Sequence, residues 1–171
     1  MIRSVETTVR SRRVVVLLFV TSAVIVAIDQ TTKALVVSHL REGESRRVIG
    51  RALSWTYQRN PGSAFGFFQH VPVLFTILAA AIAVVIVVRA PRVHDRLTGF
   101  ALGLVLGGAI GNLVDRFRLG YVVDFLDVYV NWGGQTHHWP AFNVADSAIC
   151  IGIGLLFLDM KKSEPVNAQT A

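Results

Sequence analysis

Leu97-Thr98-Gly99-Phe100-Ala101-Leu102-Gly103-Leu104-Val105-Leu106-Gly107-Gly108-Ala109-Ile110-Gly111-Asn112-Leu113-Val114 runs without a charge between Arg96 and Asp115. A helix needs about 20 residues to cross the hydrocarbon of a bilayer, so this run is close to a full crossing by itself. Its Gly107-Gly108-Ala109-Ile110-Gly111 segment lets the helix lie close against a neighbour, because small residues bring backbones together. Three more uncharged runs surround it: residues 14–28 between Arg13 and Asp29, residues 71–88 before Arg89, and residues 147–158 between Asp146 and Asp159. The first and last are long enough only if Asp29 and Asp146 belong to their helices, which puts both carboxylates at or just below the membrane surface. Of the 171 residues, 53% are hydrophobic and 16% charged, with a mean hydropathy of +0.52. That is too apolar for a soluble domain of this size. The expected fold class is an all-α integral membrane protein, one membrane domain over residues 1–171 with four transmembrane helices at about 14–36, 70–89, 97–115 and 141–160.

Arg10, Arg12 and Arg13 ahead of an apolar stretch resemble a cleaved signal. The stretch continues through Asp29-Gln30-Thr31-Thr32-Lys33 into Ala34 without a clear small-x-small cleavage site, so it reads as a retained helix. Four crossings put both termini on one side. That side holds Arg3, Arg10, Arg12, Arg13, Arg89, Arg92, Arg96, Lys161 and Lys162, against eight cations on the other. The counts show no bias, but the nine cluster at helix ends, where the positive-inside effect is strongest, and the side is read as cytoplasmic. Residues 1–13 and the polar tail 161–171 lie there. The net charge of +6 is scattered around apolar segments, so anionic lipid headgroups are the expected partner and nucleic acid is not. Cys150, the single cysteine, lies in the fourth apolar run and reads as a packing residue.

Outside the membrane, Leu53, Trp55 and Tyr57 alternate with Ser54, Thr56 and Gln58, the period of a strand with one apolar face. A small extracytoplasmic β-sheet on the membrane surface fits this pattern, with its aromatic rings at headgroup depth. Residues 121–131 form a second, apolar surface segment, and Gly133-Gly134-Gln135-Thr136-His137-His138 reads as a polar loop. Asn60-Pro61-Gly62-Ser63-Ala64-Phe65 reads as a tight turn into the second helix, with Ser63 as a candidate cap.

Carboxylates in or beside hydrocarbon cost at least about 2.5 kcal/mol each, so a chain that places several there uses them. Asp29, Asp115 and Asp127 have ordinary readings: Asp29 pairs with Lys33 one turn away, and Asp115 pairs with Arg116. Asp124 in Val122-Val123-Asp124-Phe125 and Asp146 in Phe142-Asn143-Val144-Ala145-Asp146 have no cationic neighbour in sequence. Asn112 and Asp115 share a helix face at i,i+3, and Asn143 and Asp146 repeat the spacing. Two aspartates meeting at the membrane edge point to an aspartyl-type hydrolase. A proton-coupled carrier would instead call for inverted repeats with interrupted helices, and the sequence has none. His137-His138 lacks a third ligand, so no metal is expected.

Asp29-Gln30-Thr31-Thr32-Lys33, Asn60-Pro61-Gly62-Ser63-Ala64-Phe65, Gly107 through Arg116, Val122 through Phe125 and Phe142 through Asp146 occur in that order. Together they resemble the lipoprotein signal peptidase family, also called signal peptidase II. The resemblance implies an aspartyl endopeptidase without cofactor in the bacterial cell membrane, with both termini cytoplasmic and its active site near the extracytoplasmic face. It implies diacylglyceryl-modified prolipoproteins as substrates, cut just before the lipidated cysteine, and membrane lipids as the surroundings. It places the catalytic pair on Asp124 and Asp146. Supporting roles fall on Asp29, Asn60, Gly62, Asn112, Asp115, Arg116, Asn143 and Ala145. Pro61 and Ser63 depart from the family's common residues, and the segment between Asp124 and Asp146 is lengthened by the Gly133–His138 stretch.

Overall fold

The computed structural model of the chain describes residues 2–50, 52–62 and 72–163. Its elements are α1 (Ile2–His39), β1 (Ser45–Ile49), β2 (Leu53–Asn60), α2 (Pro72–Arg89), α3 (Arg96–Leu119), β3 (Val122–Trp132), β4 (Gln135–His138) and α4 (Val144–Ser163). A short 3-10 turn, Ala90–Arg92, links α2 to α3. Among the described residues, three helical segments are long and apolar enough to cross a membrane: Ser11–His39, Val73–Arg92 and Arg96–Leu119. The sequence predicts four. The fourth, α4, is 20 residues long but carries Asp146 in its first turn and Asp159, Lys161 and Lys162 in its last, which leaves too short an apolar stretch between them.

α3 is the axis of the bundle. Two-thirds (67%) of its apolar window is buried, against 11% for α2. Asp95 starts it by accepting from the Thr98 amide at 2.9 Å. Gly120 ends it at φ 81°, a left-handed value that costs glycine nothing. Gly99, Gly103, Gly107 and Gly111 recur every fourth residue, so they line one stripe against α1. A Cβ on Gly103 would lie 2.6 Å from the Leu18 carbonyl oxygen, and one on Gly107 would lie 2.8 Å from that of Ser22. Gly108 sits against the Ala145 carbonyl of α4 on another side. The expected close packing of this segment is observed, against two helices at once.

The strands form one antiparallel sheet in the order β1-β2-β3-β4. Tyr57, Val123 and Phe125 bury one face of it against Val36 and Leu40, which pins the sheet to the end of α1. The predicted strand at Leu53 is present, but its face is not the predicted one. Ser54 and Tyr57 are buried and Trp55 is exposed. The register shifts between Trp55 and Gln58, and one extra residue in a strand turns the side chains beyond it to the opposite face. The expected loop at Gly133–His138 is a tight turn followed by β4, paired with β3 from Trp132↔Gln135 to Tyr129↔His138. Gly133 and Gly134 supply the two positive φ values of that turn, 61° and 78°. α1 and α3 run past their predicted ends, and α4 starts at Val144 because Phe142 pairs with Leu126 of β3 instead. Cys150 is exposed on α4 and does not pack inside the bundle. Ser63 and residues 164–171 lie outside the described residues.

Candidate active site

Asn143 and Asp146 cap α4 reciprocally. The Asp146 amide donates to Asn143 Oδ1 at 2.9 Å, and the Asn143 amide donates to Asp146 Oδ2 at 3.3 Å. This is a capping box with aspartate in the place of the usual Glu or Gln. The same side chain donates through Nδ2 to Asp124 Oδ1 at 2.7 Å. One residue therefore touches both carboxylates. It links the strand that carries one to the helix that carries the other.

Each remaining carboxylate oxygen has its own donor. Asn60 Nδ2, at the end of β2, reaches Asp124 Oδ2 at 2.8 Å, and Asn112 Nδ2 on α3 reaches Asp146 Oδ1 at 2.8 Å. Asp124 is 2% exposed. Burial pushes its carboxyl up to about 7, the neighbouring Asp146 carboxylate adds to the rise, and the Asn60 and Asn143 hydrogen bonds hold it back. A buried carboxyl that titrates near neutrality beside a second one is suited to passing a proton.

Behind the pair is a second layer, in which Asp29, Lys33 and Asp115 are buried and Gln30 is half-buried. Lys33 Nζ lies 2.8 Å from Asp29 and 2.9 Å from Asp115, and donates to Asn112 Oδ1 at 3.0 Å. Gln30 Nε2 donates to Asp115 Oδ1 at 2.9 Å and to the Gly111 carbonyl at 3.1 Å. Asp115 Oδ2 also accepts the Val123 amide at 3.0 Å, which fixes the start of β3 one residue before Asp124. Asp29 Oδ1 accepts the Ala145 amide at 3.0 Å, which fixes the first turn of α4 one residue before Asp146. Each aspartate of this layer thus anchors the backbone next to one member of the pair.

All ten residues singled out from the sequence come together here. Gly62 donates its amide to Asn60 Oδ1 at 3.0 Å. Arg116 reaches the Gly62 carbonyl at 3.4 Å and the Asn112 carbonyl at 3.3 Å. The Asp29–Lys33 pair is as expected. The ion-pair partner of Asp115 is Lys33 and not Arg116, because residues adjacent on a helix point about 100° apart. Asp127 stands apart from the site and pairs with His138 at 2.8 Å. Sequence reasoning missed the central roles of Lys33 and Gln30. The available signal was two polar groups in the apolar stretch of α1, both within about one turn of Asp29.

The family model for Signal peptidase (SPase) II matches residues 21–162. The chain belongs to the signal peptidase II family. Similar proteins include a lipoprotein signal peptidase of Geobacter metallireducens, 48% identical over 150 residues that cover 85% of this chain and 90% of that protein. Another is a lipoprotein signal peptidase of Halalkalibacterium halodurans, 43% identical over 148 residues that cover 85% and 92%. A solved structure described as a bacterial membrane enzyme superposes with a TM-score of 0.78 at 28% identity, covering 90% of this chain and 93% of that one. The resemblance read from five ordered motifs is borne out. Membership of the signal peptidase II family, together with the apolar helices, makes this a bacterial membrane protein.

Proposed function

We propose that Asp124 and Asp146 are the catalytic pair with which this signal peptidase II family member, an aspartyl endopeptidase, removes signal peptides from prolipoproteins. The observation that carries the assignment is Asn143, whose side-chain Nδ2 donates to Asp124 at 2.7 Å while its backbone amide donates to the Asp146 carboxylate and its Oδ1 accepts from the Asp146 amide. Two carboxylates held this close cannot both ionise easily, so one keeps a proton. The charged member takes a proton from water as the oxygen attacks the scissile carbonyl. The neutral member gives its proton to the developing oxyanion and regains it as the tetrahedral adduct collapses, while the proton taken from water passes to the leaving nitrogen. The pair titrates as a unit. Asn60, Asn112 and Asn143 hold the carboxylates, while Arg116 and Gly62 border the position of the peptide.

The cut falls just before a cysteine carrying diacylglycerol. Acyl chains that remain in the bilayer anchor the substrate at about 0.8 kcal/mol per buried methylene. α4 serves as the fourth crossing of a single membrane domain. Its 20 residues span about 30 Å, and Thr98 Oγ1 at the start of α3 donates to Asp159 near the end of α4 at 2.7 Å. Ser11 near the start of α1 donates to the Pro91 carbonyl at 3.3 Å at that same end. This arrangement gathers both termini at one end of the bundle, away from the sheet and the pair. The Arg and Lys residues clustered at the helix ends there support reading that end as cytoplasmic and the other as extracytoplasmic. The test is Asp124→Asn and Asp146→Asn against a diacylglyceryl-modified prolipoprotein, read by mobility shift. Both variants insert, accumulate and fail to cleave. Near-normal turnover by either removes that residue from the pair, and efficient cutting of unlipidated precursor removes the lipid requirement.

A further inference from the structure

Both carboxylates of the pair accept hydrogen bonds at each oxygen, but different groups stand behind the donors. Asp124 takes its bonds from neutral side-chain amides, Asn60 at 2.8 Å and Asn143 at 2.7 Å. Asp146 takes one from Asn112 Nδ2 at 2.8 Å and one from the Asn143 backbone amide at 3.3 Å. Behind Asn112 is an ammonium, because Lys33 Nζ donates to Asn112 Oδ1 at 3.0 Å. Lys33 has three donors and no acceptor, so the Asn112 atom that faces it can only be the carbonyl oxygen. The amide nitrogen of Asn112 must then face Asp146. Asn60 and Asn143 are oriented instead by neutral backbone amides, those of Gly62 and Asp146.

These differences favour charge on Asp146. An amide whose oxygen is bound to an ammonium is polarised along its length and donates more strongly at its nitrogen. Asp146 also stands in the first turn of α4, where the positive end of the helix dipole stabilises an anion. Asp124 lies on a strand, which offers almost no such field. It is the more buried of the two, since Asp146 is half-buried and open to the water it would activate. The remaining charged groups around the pair are Asp29 on α1 and Asp115 and Arg116 on α3. The two acids are paired with Lys33, and Arg116 interacts more strongly with Asp146 than with Asp124.

We propose that Lys33 is a positioning residue that acts through Asn112 to keep Asp146 ionised. Asp146 then takes the proton from water, and Asp124 is the neutral member. This rests on the catalytic pair assigned above and gives each member its role. The test is the pH dependence of kcat/KM on a diacylglyceryl-modified prolipoprotein, with full-length protein in detergent micelles. The acid limb reports ionisation of the base, and the alkaline limb reports loss of the proton from the acid. Removing an opposite charge or a donor disfavours the ionised form, so Lys33→Met and Asn112→Leu move the acid limb to higher pH by about 1 unit. The alkaline limb moves less in both. Asn60→Ala, which removes a donor from Asp124 alone, moves the alkaline limb. The reverse pattern, with Lys33→Met and Asn112→Leu moving the alkaline limb and Asn60→Ala the acid limb, overturns the proposal and makes Asp124 the base. Turnover lowered equally at every pH also overturns it and leaves Lys33 a structural ion. If Lys33→Met does not accumulate, Asn112→Leu, which keeps both ion pairs of Lys33, decides by itself. Cleavage by Asp124→Asn or Asp146→Asn is a different failure, since it dissolves the pair and this proposal with it, whereas unmoved limbs leave the pair intact.

Discussion

Replacing Lys33 with Met keeps the length and apolar stem of the side chain and deletes only the ammonium. That ammonium has three acceptors: Asp29 at 2.8 Å, Asp115 at 2.9 Å and Asn112 at 3.0 Å. Both carboxylates are almost fully buried, at 0% and 3% exposure. Removing one partner of a buried ion pair costs about 3–5 kcal/mol, because the charge left behind has no compensation. For a chain of this size each kcal/mol moves Tm by about 2–4 °C, so Lys33→Met lowers Tm by about 6–20 °C. Removing all three charges together (Lys33→Met, Asp29→Asn, Asp115→Asn) recovers most of that loss, since no unpaired ion remains. Thermal unfolding in detergent micelles measures both variants, and turnover of lipidated substrate measures the site. Activity does not return in the triple variant to the extent that Tm does, because the carboxylates that anchor the Val123 and Ala145 amides are gone. A Lys33→Met protein as stable as its parent would show that the buried layer tolerates an unpaired charge, and would refute this reasoning.

Asp124 has a folded-state value of about 7 against an ordinary 3.8, so the native state holds a proton that the unfolded chain releases. Stability therefore falls as pH rises through that window, and Asp124→Asn, which cannot ionise, has a higher Tm than its parent above pH 7 with the gap closing toward pH 4, as unfolding scans across pH will show. Asn60→Ala deletes a hydrogen bond that holds the Asp124 value down. The pH–rate transition belonging to Asp124 moves to higher pH in that variant, and an unmoved profile would mean that Asn60 acts only on structure. Gly111→Ala sets a Cβ 2.6 Å from Asp29 Oδ2, an overpacking that costs about 1–3 kcal/mol by thermal unfolding and lowers turnover. Gly154→Ala meets nothing within 4 Å and is neutral or stabilising by up to about 1 kcal/mol.

Hydrocarbon length and charge placement made most of this architecture legible. Uncharged runs locate helices well, because the bilayer penalises polar groups so heavily. They locate helix ends poorly, since a helix continues into water as α1 and α3 do, and α4 shows that charge at both ends blurs the crossing itself. The sheet was half legible. Alternation revealed β2, but a bulge after Trp55 is invisible to a period-two pattern and exchanged the exposed ring for the buried one. Gly133-Gly134 carried the signature of a hairpin turn, and the short polar β4 after it lacked the apolar alternation that announces a strand. At the site, Asp-Asn spacing and the lack of cationic neighbours picked out two carboxylates that the fold brings to a single asparagine. What spacing along one helix cannot show is a contact between helices, which is why Lys33 read as a partner of Asp29 alone and Asp115 was matched to Arg116.

Asn143 fastens a strand to a helix, and the timing of synthesis gives that junction a further meaning. Asp124 leaves the ribosome well before Asp146, and Asn143 with its cap forms only when the first turn of α4 is in place. A nascent chain with three helices already inserted holds one carboxylate of the pair and half of its hydrogen-bonding frame. With Asp124 and Asp146 as the proposed pair, proteolytic competence is withheld until the last helix docks along α3, and a chain still lacking it leaves the precursors around it uncut.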